Sequence, residues 1–406
     1  MPNIQPTIGS ERLQVIDALR GFALFGILFA NLYSFIGYNT YSTDELNSLP
    51  ILDKGILFFI DWFVEGKFYG IFSILFGVGF AIQAKRFIQR GDNFKSFWFR
   101  RMLILCCFGL LHMYCIWNGD ILTLYSLLGM LLPLFLGFSN KKLLHWIIVL
   151  LFLPVLMHTL LYFTPEWSFW GSLNTISTEL KSDWGYANLS LLEMRTSGSA
   201  HEVFSVNVLY AIPRAMSYLM FGRYFHVMGL FLIGLLLTRI WLPKIQNRNI
   251  AVPRAAIWFG IIGLVIHFGY AWIKGMYGWP SGFSKIGFLL GIIYHVGSTF
   301  FSLAICMMIL YFWSIGRAKK TFENLAILGR MALSNYIFQN VTAVLIFFGY
   351  GFALMRKVPF SYLPLFAFAI LVVQWLFSRF WLRRFKQGPL EFIWKKLSYR
   401  SSRSKQ

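Results

Sequence analysis

A chain of 406 residues that is 57% hydrophobic and only 13% charged is not an ordinary soluble domain, since such domains carry roughly 25% charged residues. The net charge of +21 sits mostly in short stretches between apolar runs, where lysine and arginine orient membrane spans; this argues against nucleic acid as the partner. Four cysteines, Cys106, Cys107, Cys115 and Cys306, all fall inside apolar runs without zinc-type spacing to histidine, which excludes a disulfide framework and leaves them as packing residues.

The N-terminal run 15-VIDALRGFALFGILFANLYSF-35 reads as a first span that opens on Asp17 and Arg20. Three residues apart, they share neighbouring parts of one helical face. Bare charge in hydrocarbon is costly, so the pair belongs at an interface, in a protein interior or in a wet cavity. The two charges also interrupt any short apolar core of a cleavable signal, so this helix is expected to stay in the mature protein.

Further apolar runs predict an all-α, polytopic membrane bundle of about ten transmembrane helices. They lie at roughly 15–36, 56–83, 99–117, 120–138, 143–163, 224–242, 254–274, 285–314, 326–350 and 360–382. The second run holds Asp61, Glu65 and Lys67 and predicts a bent or two-part element. Its small residues Gly70, Ser73, Gly77, Ala81 and Ala84 step by three or four, which makes a smooth face for close helix contact.

With the N-terminus inside, most basic residues fall in cytoplasmic loops, from Arg12 and Arg20 to the tail 383-RRFKQGPLEFIWKKLSYRSSRSKQ-406. That bias places both termini in the cytoplasm, and the tail suits anionic lipid headgroups. Residues 164–223 break the hydropathy pattern on the outer side. They divide the chain into a five-span half at 1–163, an extracytoplasmic or interfacial segment at 164–223, and a second five-span half at 224–406. Within the segment, 208-VLYAIPRAMSYLMFGRY-224 has an amphipathic look and predicts short helices lying on or dipping into the outer face.

The third span ends 109-GLLHMYCIWNGDILTLYSLLG-129. Asn118-Gly119-Asp120 form a tight turn, and Asp120 is placed to cap the next helix. His112 lies about five residues inside the outer boundary by this reading. A capped hairpin with His112 bonded to a backbone carbonyl explains these residues; so does a histidine base near an aqueous pocket, oriented by a carboxylate. Asn31, Trp117, Asn118, Arg223, His226 and His295 are the embedded or boundary polar and aromatic groups selected as substrate contacts. Tyr33, His145, His158, His267, Asn335, Gln339 and Asn340 read as helix-to-helix hydrogen-bonding groups. No HExxH, P-loop, dinucleotide or GxSxG pattern is present, and no metal is expected.

Five ordered blocks, 17-DALRGFALFGILFAN-31, 72-FSILFGVGFA-81, 112-HMYCIWNGDILTLYSLLG-129, 329-GRMALSNYIFQN-340 and 388-GPLEFIWK-395, resemble the YeiB-like bacterial membrane family, known mainly as a domain of unknown function. The resemblance covers nearly the whole chain and implies a multi-pass protein of the bacterial cytoplasmic (inner) membrane. The opening D-x-x-R-G is also similar to the wider superfamily of transmembrane acyltransferases, among them the lysosomal heparan glucosamine acetyltransferase and bacterial O-acyltransferases of sugars. That similarity implies acyl transfer from a cytoplasmic acyl-CoA to an acceptor across the membrane. Asp17 and Arg20, with Arg330, would meet the anionic donor, His112 would be the base and Asp120 its partner. The O-acyltransferases carry a histidine later in the first helix, where this chain has Ile27-Leu28-Phe29-Ala30-Asn31; depth and neighbours select His112 instead. A transporter or exporter of a small or lipidic solute, and a non-enzymatic sensor or scaffold, are the competing readings. Membrane lipids are the expected partners, and the small-residue stripes permit a homodimer.

Overall fold

The computed structural model describes residues 14–167, 170–196, 198–246, 254–278 and 282–399. Arg12, Arg248 and the tail beyond Tyr399, which carried part of the charge argument, lie outside the described residues. Among these residues the fold is all-helical. In chain order the helices are α1 Gln14–Phe35, α2 Thr43–Asn47, α3 Ile51–Phe59, α4 Lys67–Gln89, α5 Phe94–Cys115, α6 Leu122–Leu131, α7 Asn140–Phe163, α8 Trp170–Asp183, α9 Leu191–Thr196, α10 Ala200–Met220, α11 Arg223–Gln246, α12 Arg254–Tyr277, α13 Lys285–Ser314, α14 Lys319–Gly329, α15 Ala332–Phe347, α16 Leu363–Arg384 and α17 Pro389–Tyr399.

Seven described stretches are long and apolar enough to cross a bilayer: α1 with its following turn, α3 through α4, α7, α11, α12, α13 and α16. The expected third span, α5, opens on Lys95, Arg100 and Arg101. The apolar helix from Leu122 to Phe135 and α15 are shorter than a full crossing.

The second span is in two parts, as its charges predict. α3 ends in a π-helical turn at Ile60–Val64, in which Glu65 N donates to Ile60 O across five residues. Gly66 then takes φ +85°, and a Cβ there would press on Ser298 and Tyr294 at 3.0–3.2 Å, so glycine suits both the left-handed backbone and the space. In α4 the small-residue stripe meets α11: a Cβ on Gly77 would lie 2.0 Å from Phe231 O, and one on Gly234 would lie 2.0 Å from Ile74 O. Reciprocal glycines of this kind let two backbones touch.

Two expected elements have different bounds. The run 326–350 is not one helix. α14 stops at Gly329, Met331 leaves the helical region at φ −118°, ψ 35°, and α15 starts afresh at Ala332. Residues 164–223 hold the short helices α8 and α9 and the 21-residue α10, which runs through much of 208–224 as one helix where short ones were expected. A capping box between Ser199 and Glu202 starts it. Pro213 lies inside it, which leaves Leu209 O without its usual backbone donor; Ser177 Oγ of α8 approaches that carbonyl at 3.4 Å.

One end of the bundle gathers the described terminal elements. Trp394 of α17 donates to Arg101 O at 2.8 Å while the Arg101 guanidinium lies 3.7 Å above its ring. α14 packs along the start of α1, where a Cβ on Gly329 would fall 1.8 Å from Asp17 O. Because that contact is backbone to backbone, Gly329→Ala must part the helices; we expect a loss of about 1–3 kcal/mol, the usual cost of overpacking, read as lowered resistance to unfolding in detergent.

Glu391 of α17 caps α15 from a distance. Its carboxylate accepts from Leu333 N at 2.7 Å, Ser334 N at 3.1 Å and Ser334 Oγ at 2.6 Å. Burial raises its carboxyl above the ordinary value, outweighing the lowering by the Ser334 hydroxyl and the backbone donors. A carboxyl held higher when folded binds its proton more readily in that state, so the stability it adds is full below the ordinary carboxylate range and fades as pH rises through the raised value. Amide protection of α17, corrected for intrinsic exchange, should therefore be greater at mildly acidic pH than above neutrality, and Glu391→Gln should flatten that dependence.

Candidate functional site

The far end of the bundle carries the first polar centre. Ile116 N and Trp117 N both bond to His112 O, closing α5. The chain then turns through Asn118 and Gly119, and a Cβ on Gly119 would strike the Trp117 ring at 2.3 Å. Asp120 caps α6 as expected, accepting from Leu122 N at 3.0 Å and Thr123 N at 2.6 Å. Gly109 lets α5 lie against that helix start, since a Cβ there would be 2.4 Å from Thr123 N.

This hairpin brings His112 Nδ1 within 3.1 Å of Asp120 Oδ1, with side chains 0% and 1% exposed. The contact is close but outside hydrogen-bond alignment. On the other side Asn340 Nδ2 lies 3.0 Å from His112 Nε2, and Asn31 Nδ2 donates to Asn340 Oδ1 at 3.0 Å. With Asn340 oxygen taken by Asn31, its amide NH₂ must donate to a lone pair on Nε2. The imidazole proton then sits on Nδ1, facing the carboxylate. The Tyr336 ring flanks the imidazole at 5.2 Å between centroids. The result is a neutral imidazole with a carboxylate on one nitrogen and a basic lone pair on the other, an arrangement able to accept a proton.

Other selected contacts fall in adjoining layers. Asn118 N donates to Asn207 Oδ1 at 3.2 Å, while Asn118 Oδ1 accepts from Arg195 Nη2 at 3.1 Å. Trp117 packs on Phe35 with centroids 4.5 Å apart. Deeper in the bundle His226 Nδ1 lies 2.8 Å from Tyr69 Oη, and its Nε2 lies 2.8 Å from Thr299 Oγ1. His295 Nε2 donates to Phe221 O at 3.1 Å, and its ring centroid is 4.7 Å from that of His226. His158, read from sequence as a helix-to-helix hydrogen-bonding group, joins them with its ring 5.7 Å from His295. Arg223 lies over Tyr69 at 4.5 Å and Tyr218 at 4.6 Å.

A second polar centre forms at the break in the second span. Lys274 Nζ donates to Asp61 Oδ1 at 2.6 Å and to Tyr33 Oη at 2.9 Å. Lys67 Nζ donates to Asp61 O at 2.9 Å and meets His267 Nδ1 at 2.8 Å. The first of these bonds answers a backbone need, because the π turn takes Asp61 O out of the regular ladder and a freed carbonyl in an apolar interior needs a donor. Tyr294 Oη donates to Glu65 Oε1 at 3.2 Å. Lys67 and Lys274 are 0% and 2% exposed. The sequence flagged Asp61, Glu65 and Lys67 only as a bend; three ionisable residues in one apolar run were the signal for a polar centre. Lys274 gave no such signal, standing near the end of an apolar run like an ordinary interfacial lysine.

Asp17, Arg20 and Arg330 are not part of either centre. They sit at the opposite end, where Arg20 Nη1 donates to Asp17 Oδ1 at 3.1 Å and Arg330 Nη2 donates to Lys386 O at 3.1 Å. The Arg20 side chain is 30% exposed and that of Asp17 is 4% exposed. Eleven residues of α1 separate Arg20 from Asn31, roughly 16 Å at 1.5 Å per residue. A cavity of about 600 Å³ between α12, α13 and α14, lined by Phe22, Phe301, Phe312, Phe322 and other apolar groups, touches neither centre. Among the described residues no group of three His, Cys, Asp or Glu side chains is arranged to hold a metal ion.

Long apolar helices packed around buried ionic and histidine centres define a multi-pass helical membrane protein. Residues 236–401 match the family model described as "Protein of unknown function (DUF418)", and the chain is homologous over nearly its whole length to YeiB of Escherichia coli K12, so the YeiB-like resemblance holds. YeiB is 25% identical over 97% of each chain. YxaH of Bacillus subtilis strain 168 is 29% identical over 99% of this chain and 98% of its own. A 39.9 kDa protein encoded in the amylase 3' region of Bacillus acidopullulyticus is 29% identical over 98% of this chain and 96% of its own. All three are described as uncharacterized, and these relatives indicate a bacterial origin.

Proposed function

We propose that the chain is a membrane-embedded acyltransferase of the bacterial inner membrane, passing an acyl group from a cytoplasmic donor of acyl-CoA type to an envelope glycan, lipid or small metabolite. In this reading ten helical segments cross the bilayer, α5, α6 and α15 included, and both termini are cytoplasmic. The basic residues concentrated at the end that holds Arg20, Arg101 and Arg330 support that orientation. The exposed part of the Arg20 guanidinium suits donor phosphates.

The observation that carries the proposal is His112 held between Asp120 and Asn340. Nε2 of His112 removes the proton from the acceptor hydroxyl or amine, the acceptor atom attacks the thioester carbonyl, the C–S bond breaks, and the departing thiolate is released as the thiol when the proton taken up by His112 is given back. Asp120 keeps the imidazole proton on Nδ1 and stabilises the imidazolium that forms. The acceptor must first displace the Asn340 amide from Nε2. The full chain in nanodiscs should hydrolyse or transfer from an acyl-CoA in a His112-dependent manner; no turnover with any chain length of acyl-CoA, and no binding of one, ends this reading.

Transport is the second reading, favoured by the break at Ile60–Gly66 and by the start of α11 at Arg223, both inside the bundle. Interrupted helices of this kind bind substrates near the midplane of transporters. Gradient-sensitive flux in proteoliposomes with no acyl-CoA turnover would select it.

A further inference from the structure

Three arginines stand in file along α9, α10 and the start of α11. Arg195 donates to Asn118 Oδ1 and faces the Phe348 ring at 5.7 Å. Arg214 Nε donates to Tyr218 Oη at 2.9 Å, and its guanidinium lies 5.9 Å from the Trp117 ring centroid and 5.3 Å from that of Tyr218. Arg223 takes the other side of Tyr218 and the face of Tyr69. Each guanidinium thus rests on aromatic faces or a neutral oxygen.

Among the described residues none of the three is ion-paired with a carboxylate. The acids nearby are engaged elsewhere: Asp120 by His112 and the start of α6, Glu65 by Tyr294. Nε of Arg195 and Nε of Arg223 are buried without a hydrogen-bond partner. The Arg195 guanidinium is pushed down to about 10 by burial and then by the Arg214 charge beside it. α11 begins at Arg223, so the positive end of its dipole opens on the same space. Partly buried cations with unused forked donors, no carboxylate in ion-pair contact and aromatic walls fit a planar or tetrahedral oxyanion. All three residues retain partial exposure.

We propose that Arg195, Arg214 and Arg223, with Trp117, Tyr218 and Tyr69, form a binding site for a phosphate or carboxylate group on a molecule entering at the end of the bundle away from the termini. The anion site stands on this geometry alone; calling its occupant the acceptor rests on the acyl-transfer reading. Asn118 and Trp117 join it to the turn that carries Asp120, so a molecule anchored here by its charge presents its remaining part to His112.

The test uses the full chain in phosphatidylcholine nanodiscs with no donor present. Inorganic phosphate and acetate, compared with chloride at equal ionic strength, should raise the melting temperature saturably. Arg214→Gln and Arg223→Gln should each weaken that response at least tenfold, with Arg214→Lys intermediate and Arg379→Gln unchanged. Competition by phosphatidylglycerol in the disc supports a lipid headgroup; phosphate binding unaffected by it supports a soluble anion. Equal responses to phosphate, acetate and phosphatidylglycerol in wild type and both glutamine variants overturn the site. His112→Ala should keep the binding, so an anion site without acyl transfer and acyl transfer without an anion site are told apart.

Discussion

Asp61→Asn or Lys274→Met alone should destabilise the fold by about 3–5 kcal/mol, the cost of leaving one member of a buried ion pair without its partner. The two side chains are 5% and 1% exposed and 2.6 Å apart. Either substitution alone leaves a charge enclosed by Tyr33, Tyr38 and Tyr270, whose rings lie 4.8–5.7 Å from Lys274 Nζ. Those faces and the Tyr33 hydroxyl soften the loss for an orphaned lysine, so Asp61→Asn should be the milder of the two. Neutralising both in one chain removes the orphaned charge and should recover most of the loss. The measurement is a double-mutant cycle on unfolding in detergent, with monodispersity as a first readout. Single and double variants equal to wild type would show that the pair holds nothing together. Lys67 offers an internal contrast: it serves the backbone carbonyl of Asp61, so Lys67→Met should damage the π turn without being rescued by Asp61→Asn.

The parts of this fold that follow from nearest neighbours in the chain are legible in the sequence. Apolar runs mark the helices, Asp120 caps α6 because a short acceptor stands at a helix start, and the charges at Asp61, Glu65 and Lys67 mark a break because a straight apolar helix would not carry them. The partnerships were not legible. Asn31, His112 and Asn340 were each visible as embedded polar groups, yet 309 residues separate Asn31 from Asn340 and 228 separate His112 from Asn340. Local spacing holds no information about which of several buried amides will reach a given imidazole. Lys274 and Asp61, 213 residues apart, pose the same problem. The division of 326–350 into α14 and α15 falls at Gly329-Arg330-Met331, where a glycine and a charge interrupt an otherwise apolar run without saying whether the helix stops. What allows the break is a cap from Glu391, 57 residues beyond Ser334. α10 misled in the other direction: the stretch 208–224 reads as short helices, and one helix continues through Pro213.

If the protein works by the acyl transfer we propose, replacing His112 by alanine should lower that transfer by a factor of about 10²–10⁴, the range a positioned general base contributes, while leaving acyl-CoA binding unchanged. Asp120→Asn should act through the histidine. An asparagine still caps α6, so the fold survives. Its amide no longer stabilises an imidazolium, so the loss should fall on kcat more than on KM. Asn340→Asp is the informative third variant. A carboxylate cannot donate to Nε2, so the bond that holds the imidazole between Asn340 and Asp120 is lost. Transfer should then fall mainly in kcat. If His112 only fills space in a capped hairpin, the three variants will alter unfolding and leave the kcat and KM of the remaining activity where they were. The dry interior requires that the Asn340 amide move when an acceptor arrives, because Nε2 has no second lone pair to offer.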